Sequence, residues 1–206
     1  MRRIPLHILN RYFVVFALLA VLAGCFAKAP AIRYYNLGSL ATQTDPTITL
    51  DKSDISVGVG PVTLPEYLKR ARIATRVAAH QYRFDPNHRW AGLLEEDLVR
   101  VISTNLGVLL GTDRVAIFPW GSYFRPDCRI VISIDQFDSA FDGDAVLRAH
   151  WSINDSAGKT LLASGQSTHR LPLEDGHYES LVTAQSDLLI AFSRELAEQI
   201  VALNLP

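Results

Sequence analysis

Residues 128–137 read CRIVISIDQF, and the fold turns on the face each of them takes. Cys128, Ile130, Ile132 and Ile134 fall on one side of an extended chain, with Arg129, Ser133 and Asp135 on the other. Side chains alternate across a strand, so this period of two predicts a half-buried strand and places Cys128 in the core. Downstream, Leu147, Ala149, Trp151 and Ile153 alternate with Arg148, His150, Ser152 and Asn154, and Asp155-Ser156-Ala157-Gly158 turns the chain into residues 159–169. That is the pattern of a hairpin.

Upstream, from Trp90 to residue 110, Leu93, Leu94, Leu98, Val101, Ile102, Leu106, Leu109 and Leu110 recur at helical steps, while Glu95, Glu96 and Arg100 occupy the other face. This predicts an amphipathic helix stopped by Gly111. Leu181, Ala184, Leu188, Phe192, Leu196, Ile200 and Leu203 trace the stripe of a long closing helix. Shorter strands are predicted at 33–37, at 55–62 with Pro61 and Pro65 stopping it in a loop, and at 115–118 before Pro119. Residues 72–76 and 79–84 alternate weakly and pair as a hairpin. The order of elements predicts an α+β fold: a single domain whose antiparallel-rich sheet is covered on one face by two long helices.

The composition, 49% hydrophobic and 20% charged over 206 residues, excludes a disordered, collagenous or disulfide-built chain. Formal net charge is −1; without Arg2, Arg3 and Arg11 of residues 1–24, which hold no acid, 17 basic residues face 21 acidic ones, a net of −4. A mildly acidic body argues against a nucleic-acid binder, whose affinity rests on neutralising phosphates.

The N-terminus has a basic stretch to Arg11 and then the uncharged run YFVVFALLAVLAG at 12–24. Thirteen helical residues rise about 20 Å, short of the ~30 Å hydrocarbon core, which fits a signal-peptide apolar region better than a membrane span. The run closes on Leu22-Ala23-Gly24-Cys25, which resembles the bacterial lipobox. The resemblance implies that Cys25 becomes the N-terminus carrying diacylglycerol and a further acyl chain such as palmitate, which together make anchoring lasting. An ordinary cleaved signal peptide and an uncleaved anchor are the alternatives. The expected organisation is a signal peptide at 1–24, a lipidated tether at 25–32 and the folded domain at 33–206. Phe26 stands where Asp is the usual inner-membrane retention signal of such lipoproteins, so the resemblance further implies the outer membrane, facing the periplasm.

No catalytic set is legible. His80, His88, His150, His169 and His177 form no HxxxH or HxH pair, so no metal is predicted. Asp135, Asp138, Asp142 and Asp144 match no calcium loop and, with turn-forming Asp142-Gly143-Asp144, read as a solvated loop between strands. Gly58-Val59-Gly60-Pro61 lacks the donors of a phosphate loop and reads as a strand end and turn. No GxSxG elbow is present. No cofactor and no enzyme activity are expected.

Residues 57–76, VGVGPVTLPEYLKRARIATR, together with Tyr34-Tyr35-Asn36-Leu37, His88-Arg89-Trp90-Ala91, Phe118-Pro119-Trp120 and Asp135-Gln136-Phe137-Asp138, resemble the ABC-type transport auxiliary lipoproteins over about residues 34–203. One departure is Ala71-Arg72, where the family usually has a proline after the arginine. The resemblance implies a non-enzymatic lipoprotein of an intermembrane lipid transport or membrane-integrity system, working with a mammalian-cell-entry-domain periplasmic protein and its inner-membrane transporter, and self-associating. Stand-alone binding of a lipid or small ligand, or an envelope hydrolase, are the competing classes. Prolines, a tyrosine and arginines of the kind enriched at interface hot spots nominate Pro61, Leu64, Pro65, Tyr67, Leu68, Arg70 and Arg76 as the contact with a partner or a second copy. Trp90 and Trp120 are expected to anchor the core. Replacing Cys25 by Ser is expected to abolish acyl labelling and release the protein from membranes, measured by palmitate incorporation and fractionation; unchanged fractionation with no acyl label on the native chain rejects the lipid anchor.

Overall fold

The computed structural model describes residues 30–42, 50 and 52–205; Cys25, the expected signal peptide and the tether up to residue 29 lie outside them. The chain divides into Met1–Ala31 and Ile32–Pro206, and every element described belongs to the second part. In order these are β1 (Arg33–Tyr35), a single 3₁₀ turn (Leu40–Thr42), β2 (Val57–Thr63), β3 (Arg72–Ala78), β4 (Gln81–Trp90), α1 (Leu94–Leu110), β5 (Val115–Ile117), β6 (Cys128–Ser139), β7 (Asp144–Asp155), β8 (Leu161–Pro172) and α2 (Tyr178–Ala202).

Strand β6 is the hub of an open, mixed eight-stranded sheet. One of its edges pairs antiparallel with β7, which pairs with β8. Its other edge is shared. β2 runs parallel to its first half, from Val57↔Cys128 to Thr63↔Ser133, with β5 outside β2. β3 reaches only its end, at Thr75↔Ser139, and brings β4 and then β1 with it. The long pairings are antiparallel and the short ones parallel, so the sheet is antiparallel-rich as expected, and the parallel pairs come from strands brought together across chain crossovers.

Cys128, Ile130, Ile132 and Ile134 are buried, as the alternation requires. A register shift between Ile134 and Gln136 inserts one residue there, which is how Phe137, out of phase with the isoleucines, also reaches the interior. The two helices cover the inner face. α1 buries Leu98, Val101, Ile102, Leu106 and Leu110 and ends where Gly111 adopts φ 69°, its cap amides returning to Gly107 and Val108. α2 buries Leu181, Leu188, Phe192, Leu196 and Ile200. Asn105 links the layers, donating to Ser193 Oγ (3.3 Å) and accepting from the Leu40 amide (2.8 Å).

Several boundaries differ from the sequence reading. The first helix starts at Leu94 because Trp90 closes β4, its amide bound to the Ala71 carbonyl at 2.8 Å. β2 does not stop at Pro61 but runs to Thr63, the proline falling where the register with β6 shifts, so its missing N–H interrupts no regular ladder. Gly58-Val59-Gly60-Pro61 is therefore strand interior, not strand end and turn. Gly58 is needed there because a Cβ would lie 2.5 Å from the Trp120 ring. The aspartates do not form one solvated loop either: Asp135 and Asp138 belong to β6 and Asp138 is buried, whereas Asp142 sits in the β6–β7 turn.

Trp90 is 6% exposed and anchors the core, as expected. Cys128 is fully buried, and desolvation, reinforced by the charge of Asp127, pushes its thiol up to about 12. Thiolate is the reactive form, so Cys128 is expected to resist a polar maleimide at pH 8 until denaturant is added; rapid labelling of the folded protein, followed by mass spectrometry, contradicts this packing.

Candidate functional site

The seven residues nominated from the sequence do not share one surface. Leu64 and Leu68 turn inward and join the core. Pro65 is half-buried. Pro61 and Arg70 are exposed, the Arg70 guanidinium lying 4.9 Å from the centre of the Phe84 ring. Tyr67 and Arg76 converge on Asp138, a residue the sequence reading left in a solvent loop.

Asp138 is 1% exposed and accepts hydrogen bonds from four side chains. Arg76 holds both oxygens, Nε to Oδ1 at 3.1 Å and Nη2 to Oδ2 at 3.0 Å. The Tyr67 hydroxyl donates to Oδ2 at 2.9 Å, the Tyr82 hydroxyl donates to Oδ2 at 3.2 Å and Gln136 Nε2 donates to Oδ1 at 3.0 Å. Tyr67 and Tyr82 stack at 4.6 Å, and the Arg76 guanidinium, also bonded to the Tyr82 hydroxyl, lies over the Tyr82 ring. Burial, then the charge of Asp138, drives the Tyr67 phenol far above its ordinary range, and burial raises Tyr82 as well. Both phenols stay protonated and donate. A carboxylate with its lone pairs filled and two tyrosines held neutral make a structural clamp, not an acid–base pair.

A second cluster joins β8 to α2. Trp151 Nε1 donates to Ser167 Oγ (2.9 Å), Ser167 Oγ donates to Glu195 Oε1 (2.7 Å), and His169 Nε2 lies 2.9 Å from Glu195 Oε2. Here the carboxylate stands between serine and imidazole, so the histidine has no path to the serine proton and the set lacks the order of a hydrolytic triad. Among the described residues no group of three or more metal-ligating side chains assembles.

The surface opens at a groove of about 670 Å³ between the end of β2, the start of α1 and β5. It is lined by Gly60, Pro61 and Val62, by Leu93, Leu94 and Val99, by Ile117 and Phe118, and by the charged Lys69, Glu95 and Glu96. Leu93 is 62% exposed and Phe118 50%. Of the nominated residues only Pro61 lines it. Leu93 escaped notice because it reads as part of a helix stripe, whereas Phe118 belongs to the Phe118-Pro119-Trp120 stretch, whose residue types, like those of 61–76, are enriched at interfaces.

The motif stretches meet one another in the fold. Tyr34 and Tyr35 pair with Arg89 and Trp90, and the Tyr35 hydroxyl reaches His88 Nδ1 at 2.8 Å. The Phe118 amide donates to the Val59 carbonyl at 2.9 Å, Trp120 covers Gly58, and Asp138 of the 135–138 stretch holds Arg76 of the 57–76 stretch.

The model of the ABC-type transport auxiliary lipoprotein component matches residues 35–197, and the chain belongs to that family. It is 26% identical over 133 residues to the intermembrane transport lipoprotein PqiC of Escherichia coli K12, which covers 65% of this chain and 68% of the relative; the Shigella flexneri PqiC matches to the same extent. Among solved structures, an uncharacterized protein (TM-score 0.68, 22% identity, 83% of this chain and 99% of that one) and a Xanthomonas campestris protein (0.69, 15%, 83% and 95%) share the fold.

Removing the Asp138 carboxylate strands Arg76 and two phenols. Asp138→Ala is expected to destabilise the protein by roughly 2–4 kcal/mol and Tyr67→Phe by ~1 kcal/mol, measured by urea unfolding. An unchanged midpoint for Asp138→Ala contradicts the clamp.

Proposed function

We propose that this protein is a non-enzymatic, outer-membrane-anchored lipoprotein subunit of an intermembrane lipid transport or membrane-integrity system, which docks a mammalian-cell-entry-domain protein on its periplasmic side and self-associates. The family match across residues 35–197 carries the reading, and the relation to the PqiC lipoproteins supports it. The apolar groove beside Pro61 is the docking surface in this reading. It offers solvent-exposed Leu93, Ile117 and Phe118 to a partner's apolar side chains, and a lipid crossing water needs a covered apolar path whose far end is fixed to a membrane. Tyr67 is spent on Asp138, and Arg70 lies exposed on the loop that follows it.

Photo-crosslinking from position 118 in intact envelopes is expected to trap the mammalian-cell-entry-domain protein. Leu93→Asp removes the exposed leucine and supplies a favourable cap where α1 now has no side-chain cap bond, so with Phe118→Ala it is expected to leave folding intact while weakening capture by more than about five-fold, or ~1 kcal/mol. If the double variant restores the envelope barrier and captures the partner like the native chain, the groove is not the docking surface.

A further inference from the structure

β5 is paired on one side only. Its register with β2 is Val57↔Val115 and Val59↔Ile117, the Val57 amide donating to the Arg114 carbonyl and the Phe118 amide to the Val59 carbonyl. In such a parallel ladder Ala116 turns both its backbone groups toward β2, and its neighbours turn theirs the other way. The amides and carbonyls of Val115 and Ile117 therefore face outward, where no described strand receives them.

That edge opens into the groove beside Pro61 and into a second hollow of about 470 Å³ along α1, and Ile117 lines both. Ser103, Gly107 and Val115 line the second. A Cβ on Gly107 would stand 3.8 Å from Val115 Cγ2, so the side chains of Val115 and, by alternation, Ile117 are directed at α1. Ser103 is 7% exposed, yet its Oγ has no hydrogen-bond partner. At the rim Lys69 is paired with Glu66, which leaves Glu95 and Glu96 without an ion pair among the described residues.

We propose that the protein docked at this groove binds through an extended segment that adds a strand to the outer edge of β5. The inference rests on the docking reading above and names the form of the bound segment. An incoming strand meets the Val115 and Ile117 backbone groups with its own, whereas a helix has spent its amides and carbonyls internally and would cover these without satisfying them. Residues of the segment opposite Val115 and Ile117 share their face and enter the space beside α1. The step from Val115 to Ile117 is about 6.6 Å and the turn of α1 from Gly107 back to Ser103 rises about 6 Å, so the residue opposite Ile117 comes level with Ser103. A serine, threonine or asparagine there supplies the bond that Ser103 Oγ lacks. The next inward residue, two further on, reaches Leu93, Val99 and Phe118 and is apolar, and a lysine or arginine beyond it meets the charge of Glu95 and Glu96.

The test uses the full-length chain extracted in detergent and the purified mammalian-cell-entry-domain protein of the same organism. On mixing, hydrogen exchange at the Val115 and Ile117 amides, read by mass spectrometry with electron-transfer fragmentation, is expected to slow by about ten-fold or more. Ile117→Pro removes an amide that β2 does not use and sets a ring in the path of the incoming strand, while Ile117→Ala shortens the side chain and keeps the amide. With circular dichroism unchanged, the proline is expected to weaken capture about ten-fold more than the alanine; should it unfold the chain, exchange of the native protein decides. Capture that Leu93→Asp with Phe118→Ala weakens, but that leaves both amides exchanging as in the free chain, overturns strand addition and leaves the groove as the docking surface. Amides that slow in the chain alone as its concentration rises assign the edge to a second copy and overturn the proposal. Capture undiminished by Leu93→Asp with Phe118→Ala overturns the docking reading and this inference with it.

Discussion

The arrangement depends on β6 serving three neighbours with two edges. β7 takes one edge along its whole length, but the other is divided: β2 occupies the first half, and β3 arrives with a single backbone partner at Ser139. One ladder position cannot fix a hairpin. The Asp138 carboxylate supplies what the backbone lacks, gripping Arg76 of β3, Tyr82 of β4 and Tyr67 of the preceding loop at the place where the ladder is absent. Because β1 is attached only through β4, and the Tyr35–His88–Tyr178 contacts bring β4 against the start of α2, the same carboxylate orients everything on that side of the sheet.

What the sequence reveals follows from which forces act locally. The isoleucines of β6, the stripes of both helices and the β7–β8 hairpin are written in short-range periodicity, and they are found where the period puts them except for Leu93, which precedes α1 and is exposed. Pro61 inside β2, the extension of β4 to Trp90 and the burial of Asp138 are set by partners far along the chain. A proline normally ends a strand, and only the shifted register with β6 makes it harmless; an aspartate beside Asp142-Gly143-Asp144 reads as solvated until Arg76, 62 residues earlier, is placed against it. Five of the seven nominated contact residues failed to reach an open surface for the same reason. The types enriched at interfaces are also the types that close a core: Leu64 and Leu68 are buried, Pro65 is half-buried, and Tyr67 and Arg76 complete the clamp.

The stretches that carry the family resemblance turn out to be mutual packing partners. Tyr35 and His88, Gly58 and Trp120, Arg76 and Asp138 are each drawn from two different stretches and joined by contact. A glycine that admits an indole ring and a carboxylate that satisfies a guanidinium and two phenols are requirements of the fold. Matching them therefore identifies the scaffold strongly and the partner hardly at all, since function is read from sites on a fold and not from the fold itself.

Partner choice must then rest on places the scaffold does not consume. One is the groove, where exposed Leu93 and Ile117 lie outside the family stretches and add nothing to the interior. The groove is open to change without disturbing the Asp138 clamp, because none of the residues lining it bonds to that carboxylate.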